Sequence, residues 1–214
     1  MSKKQLDIDN WARKEHFHFF KQFTEPFHSV VINVDCTNAY RFVKANGFSF
    51  YLYTIYVALK AAQEVESFRY RIEDGGVSVY DQVAASATIG RADGTFGFSF
   101  IEYYPGLEEF MQRATAEAKR VQEGSGLELR PRNDLILIST LPWLNFTSLT
   151  HATSFRPEDS CPRITFGKMT ENYGKRSMPM AIHVNHALCD GLHVGLYAEA
   201  FQRLLDEGQL NNIV

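Results

Sequence analysis

The sequence predicts an α/β protein built on a mixed β-sheet with helices packed on it. Three observations carry this. Strand-like and helix-like segments alternate loosely along the chain, with β-hairpins among them. Leu135-Ile136-Leu137-Ile138 is continuously apolar, as in a strand buried on both faces. No glycine-rich phosphate loop joins a strand to a helix, which removes doubly wound nucleotide-binding folds and P-loop folds.

The elements follow in order. Asp9 can cap a short helix through Trp11, Arg13 and Phe17. Ser29 to Asp35 is β-branched and extended. Thr37 can cap a helix that stops at Gly47, a residue suited to the left-handed turn of a helix end. Phe48 to Glu66 is apolar on most faces, the mark of a buried helix. Phe68 to Tyr80 reads as a hairpin around Glu-Asp-Gly-Gly. Ala84 to Gly90 and Phe96 to Tyr103 flank a turn at Asp93-Gly94. Leu107, Phe110, Met111, Ala114, Ala118 and Val121 make one stripe of an amphipathic helix that ends at Gly124. Strands are then expected at Leu135 to Ile138, Leu144 to Thr150, Arg163 to Lys168 and Pro179 to Asn185. The last helix runs from about Leu192 to Asp206, with Leu192, Leu196, Ala200 and Leu204 in one row and Tyr197, Phe201 and Leu205 in the next.

No linker, repeat or charge block interrupts these elements, so one domain over residues 1–214 is expected. Charged residues make up 22% of the chain and the net charge is −3, so no positive field exists to hold nucleic acid or an anionic membrane. The beginning of the chain lacks the apolar stretch of a secretion signal, and Phe48 to Leu59 is too short to span a bilayer. A cytoplasmic protein with three unpaired cysteines is expected. Aromatic residues reach 14%, with 17 Phe, which suits an apolar pocket or a subunit interface as well as a core.

Three segments can carry chemistry. In Met180-Ala-Ile-His-Val-Asn-His-Ala-Leu-Cys-Asp-Gly-Leu-His, a strand ends at His186 and Asp190-Gly191 turn into the last helix. His186 is a candidate general base, because imidazole titrates near neutrality. A metal set of His183, His186, Asp190 and His193 follows no zinc spacing. A purely structural reading, with Asp190 as a helix cap, remains open. Cys189 reads as a packing residue rather than a nucleophile. Ser139 ends an apolar strand, where its hydroxyl needs a partner or serves as an oxyanion donor. Arg13, in Trp11-Ala-Arg13-Lys-Glu-His16-Phe17, is either a solvated charge or the partner of a carboxylate such as Asp190.

Together these segments resemble the trimeric, CoA-dependent chloramphenicol acetyltransferases. The matching residues are Trp11-x-Arg13-x-x-His16-Phe17, Tyr80-Asp81, Thr95-Phe96, Ser139-x-Leu141-Pro142-Trp143-x-Asn145-Phe146, Ile164-Thr165-x-x-Lys168 and His186-Ala-Leu-Cys-Asp190-Gly191-x-His193. The resemblance implies a two-layer sandwich of the CoA-dependent acyltransferase fold. It implies acetyl transfer from acetyl-CoA to a hydroxyl of a small apolar acceptor, most simply chloramphenicol, with no resident cofactor or metal. It assigns His186 as base, Ser139 as oxyanion donor and a buried Arg13–Asp190 pair as support of the site. It places Thr165, Phe96, Phe20, Trp143 and Lys168 near the substrates. It further implies a homotrimer with sites between subunits. The chain departs from the family pattern at Phe20, Leu137, Asn185 and Met169. A non-catalytic small-molecule binder, or transfer to a different acceptor, is the alternative on the same fold.

Overall fold

A computed structural model describes residues 2–153 and 158–207. The helices follow from local signals. α1 (Lys14–Phe20) enters without a side-chain cap. Asp7, rather than Asp9, shapes its approach by accepting from the backbone N–H groups of Asp9 and Asn10. Strand β2 spans Phe27–Asp35 and leads into α2 (Thr37–Ala45). Asp35 Oδ1 accepts from Thr37 N at 2.8 Å, so the cap is Asp35 and Thr37 is already helical. Gly47 then takes φ +69°, as expected of a helix stop. Ser49 caps the buried helix α3 (Phe50–Glu64) by accepting from Leu52 N. A single 3₁₀ turn, Glu66–Arg69, separates it from β3 (Tyr70–Glu73). Asp74 and Gly75, both at positive φ, turn β3 into β4 (Gly76–Tyr80).

The remaining elements are β5 (Ala84–Gly90), β6 (Phe96–Ile101), α4 (Leu107–Glu123), β7 (Leu135–Thr140), β8 (Arg163–Phe166), β9 (Thr170–Asn172), β10 (Lys175–Asn185) and α5 (Gly191–Glu207). The expected strand at Leu144 to Thr150 does not form. Both edges of β8 are already taken, by β7 and by β10, so this segment has no ladder to join. β9 and an initial strand β1 (Lys3–Gln5) are short and polar and were not evident from periodicity.

The main sheet has the order β2-β10-β8-β7-β5-β6, with β9 also on β10. β5, β7 and β8 run parallel and the other pairs are antiparallel, so the sheet is mixed. β1, β4 and β3 form a separate small sheet. Register gives the main sheet two unlike faces. One row across it reads Ala87, Ile138, Ile164, Ile182 and Val30. These residues join the core with Ile55 and Leu59 of α3 and Tyr197 and Phe201 of α5. The row on one side of it reads Ser86, Leu137, Arg163, His183 and Ser29, and the row on its other side includes Ser139, Thr165 and Ala181. Helices therefore cover the apolar face, and the polar face carries the candidate chemistry. Leu135 and Leu137 put a small apolar cluster with Phe98 and Phe100 on that second face, which explains why the first four residues of β7 are all apolar. In α5, Tyr197, Phe201 and Leu205 are fully buried, whereas Leu192 and Leu196 are exposed.

Arg71 is a structural anchor that the sequence pattern did not reveal. Its side chain is wholly buried and donates to the carbonyls of Phe68, Tyr70, Asn133 and Leu135 at 2.6–2.9 Å. It ties the small sheet to the entry of β7.

Candidate active site

His186 lies in the turn just beyond β10. Its backbone N–H donates to Pro26 O at 2.8 Å, and its carbonyl accepts from Arg13 Nη2 at 3.3 Å. Arg13 also donates through Nη1 to Asp190. Asp190 Oδ1 in turn accepts from Leu192 N at the head of α5 and lies 2.7 Å from His193 Nδ1. One carboxylate thus serves as helix cap and ion-pair partner, and the arginine clamps the turn that carries His186 to it. The pair is less buried than expected, since the Asp190 side chain remains 32% exposed. Burial pushes the Asp190 carboxyl up, but the His193 hydrogen bond and the Arg13 charge outweigh it and hold the group at about 2.

The imidazole of His186 is half-buried and stacked on Phe20, with centroids 3.9 Å apart and planes 5° from parallel. On another side stands His28, at 4.5 Å. Burial, and then the nearness of His186, holds the His28 imidazole below the usual histidine range. Asn185, just before His186, is buried and structural. Its Nδ2 donates to Asp159 O and its Oδ1 accepts from Ala187 N. Cys189 is buried and its thiol is pushed by burial up to about 12, so it is no nucleophile at neutral pH. The considered ligand set of His183, His186, Asp190 and His193 is not assembled. Asp190 is taken by Arg13 and His193, while His183 packs against His151.

Ser139 sits near the end of β7, paired in register with Thr165, which pairs in turn with Ala181. Thr165 is buried, and its hydroxyl lies 3.3 Å from His151 Nε2. His151 meets His183 edge to face at 4.4 Å. Burial, and then the nearby histidine and arginine charges, depress the His183 imidazole to about 4. Burial followed by the Arg163 charge lowers His151. Ser139, Trp143 and Phe96 line a surface groove of about 1070 Å³ with Tyr51, Thr88 and Thr140. Phe96 and Trp143 are exposed there. Lys168 is exposed beyond β8, and its N–H donates to Leu144 O, which ties it to the segment carrying Trp143.

Two half-sites result, and they lie apart. Ser139 is level with Ala181 on β10, two strands over, whereas His186 is five residues further along. At about 3.3 Å per residue and about 4.8 Å per strand, the separation within one chain is on the order of 15–20 Å. His186 is also not among the residues of the Ser139 groove. One half-site holds Arg13, Phe20, His28, His186 and Asp190. The other holds Ser139, Thr165, His151 and the groove. His28 and His151 were not evident from sequence. One stands in a strand pattern and the other in an irregular segment, and neither has a motif around it. No helix among the described residues is long and apolar enough to cross a membrane.

Comparisons with known proteins give the family of the chain. The family model for chloramphenicol acetyltransferase matches residues 1–202. A chloramphenicol acetyltransferase from Bacillus pumilus is 31% identical over 206 residues, which is 95% of this chain and 93% of the relative. A solved chloramphenicol acetyltransferase superposes with a TM-score of 0.87 at 33% identity, covering 95% of this chain and 100% of that one. A truncated catalytic core of the 2-oxoacid dehydrogenase complex from Thermoplasma acidophilum shares the fold alone, with a TM-score of 0.69 at 16% identity over 96% of this chain and 99% of its own. With the match running through both half-sites and nearly the whole chain, the protein belongs to the chloramphenicol acetyltransferase family.

Proposed function

We propose that the protein transfers the acetyl group of acetyl-CoA to a hydroxyl of chloramphenicol or an acceptor of like build, in a site shared between two copies of the chain. The observation that supports this most is the separation of the half-sites. A base and an oxyanion donor 15–20 Å apart cannot act on one carbonyl. The helix-free face of the main sheet, polar with the partly buried Phe98 and Leu137 on it, suits a neighbouring subunit. A cyclic homotrimer closes such a contact, so that His186 of one copy meets Ser139 of the next.

The chemistry then needs no covalent intermediate. Both substrates bind together. Nε2 of His186 takes the proton from the acceptor hydroxyl as the oxygen bonds to the thioester carbonyl carbon. The carbonyl oxygen becomes an oxyanion that accepts from the Ser139 hydroxyl. The intermediate collapses, the C–S bond breaks, and the CoA sulfur recovers the proton from Nε2. Thr165 stands beside Ser139 to hold the intermediate, and Phe20 braces the base. Trp143, Phe96 and Lys168 border the groove that receives a substrate. Arg13 and Asp190 orient the turn and do not touch substrate.

The experiment is thiol release from acetyl-CoA with a panel of hydroxylated acceptors, chloramphenicol first, and mass spectrometry of the product. Release should depend on acceptor and vanish in His186→Ala. Ser139→Ala should lower turnover by about 10²–10³-fold with little change in binding. Equal turnover of wild type and His186→Ala, or tight chloramphenicol binding with no acetylated product, contradicts the proposal.

A further inference from the structure

A cavity of about 560 Å³ lies among the helices, between α2, α3, the head of α4 and the last turn of α5. It shares no lining residue with the Ser139 groove. Phe42, Phe48, Val57 and Leu204 make part of its wall apolar. The polar part is built around Tyr56. Its hydroxyl donates to Pro105 O at 2.7 Å, and the Lys60 ammonium lies 5.9 Å from the centre of its ring.

This polar part is rich in donors that nothing accepts from. α4 is 17 residues long, and Gly106 at its N-cap has no side chain to offer. The first bond inside the helix runs from Phe110 N to Gly106 O, which leaves the N–H groups of Leu107, Glu108 and Glu109 without a helical partner at its positive end. Tyr53 is only 3% exposed and lines the cavity, yet its hydroxyl makes no hydrogen bond among the described residues. Burial, and then Tyr56, pushes this phenol up to about 12, so it stays a donor at neutral pH. Lys60 lines the same space and enters no ion pair among the described residues. The carboxylates at the rim are mostly taken. Glu109 binds Arg113 at 3.0 Å, and Glu207 accepts from Arg203 through both oxygens. Glu108, exposed, is the charge left to oppose an anion.

We infer that this cavity binds an amphipathic monocarboxylate, with the carboxylate on the head of α4 within reach of Tyr53 and Lys60 and the apolar tail against Phe42, Phe48, Val57 and Leu204. A carboxylate offers two oxygens with about four acceptor positions, which matches several donors at once. The head of a helix favours negative charge through the same N–H groups. The apolar wall selects a ligand with a tail over a bare anion. This site is separate from the acetyl-transfer reading and does not depend on it.

The test is isothermal titration calorimetry of octanoate, octanol and octylammonium with the full-length protein, as wild type, Gly106→Asp, Gly106→Ala, Tyr53→Phe and Lys60→Gln, with an unfolding midpoint for each. Wild type should bind octanoate saturably, and octanol and octylammonium at least about 10-fold more weakly. Gly106→Asp supplies the missing cap from the protein itself. The backbone there is extended, with φ −76° and ψ 122°, and a Cβ would meet nothing within 4 Å, so the side chain fits. This variant should bind octanoate at least about 10-fold more weakly while its midpoint holds or rises. Gly106→Ala brings no carboxylate and should stay within about 2-fold of wild type. Tyr53→Phe and Lys60→Gln should each weaken binding by about 3–10-fold. Several outcomes overturn the inference: no octanoate binding by wild type up to about 5 mM, equal affinity for octanol, equal loss in Gly106→Ala and Gly106→Asp, or no loss in both Tyr53→Phe and Lys60→Gln. Unchanged affinity in Gly106→Asp overturns it as well, since octanoate then sits elsewhere, as in the Ser139 groove.

Discussion

His186 is fixed by its backbone more than by its ring. Pro26 and Arg13 hold its N–H and carbonyl, and Phe20 and His28 bound the imidazole. Asp190 secures Arg13, so loss of either charge frees the turn. With Arg13 12% and Asp190 32% exposed, the pair stands between surface and buried ion pairs. Arg13→Ala or Asp190→Ala should each cost about 1–3 kcal/mol in urea unfolding, less than for a fully buried pair. A double mutant that loses the sum of the two singles would show no coupling. His183 makes a second prediction. Its folded-state pKa of about 4 lies below that of the unfolded chain, so the unfolded state binds the extra proton first. Stability should therefore decline as pH falls from about 6.5 towards 4, and His183→Gln should flatten that slope. Asp190, held at about 2, gives stability that is present above about pH 4 and lost only below it. His186, Asp190, Arg13 and Ser139 were legible in the sequence because each stands in a dense local motif. His28 and His151 were not, since a lone histidine gains meaning only from what the fold sets beside it.

At the scale of elements, the sequence pattern and the structure part where pairing partners decide the outcome. Val30 to Val34 and Leu135 to Ile138 were readable as strands from their own residues. Lys3–Gln5 and Thr170–Asn172 carry no such pattern, and extend because β4 and β10 offer them a ladder. Leu144 to Thr150 has strand-like residues but no open edge, so it crosses beside β8 as irregular chain. Gly167 shows how closely it crosses. A Cβ there would lie 2.4 Å from Pro179 Cγ, 2.8 Å from Leu144 O and 2.9 Å from Phe146 Cε1. Gly167→Ala should cost about 1–3 kcal/mol and weaken substrate binding, since the displaced segment carries Trp143 and anchors Lys168. An unchanged unfolding midpoint would mean that the segment yields freely.

At the scale of the whole molecule, the mixed sheet covered by helices on one face follows from the alternation of segments and from the alternating rows of the sheet. The distribution of the site does not, because periodicity places residues on faces but not at heights along a sheet. Register supplies the height: Ser139 is level with Ala181, and His186 is past the strand end. Subunit mixing tests the proposed sharing of the site between copies. His186→Ala and Ser139→Ala chains, each nearly inactive alone, are mixed in equal amounts, unfolded and refolded together. In a cyclic trimer about three quarters of the assemblies are hybrids with one intact site in three, so about a quarter of wild-type activity should return. A mixture no more active than its two parents would contradict the account.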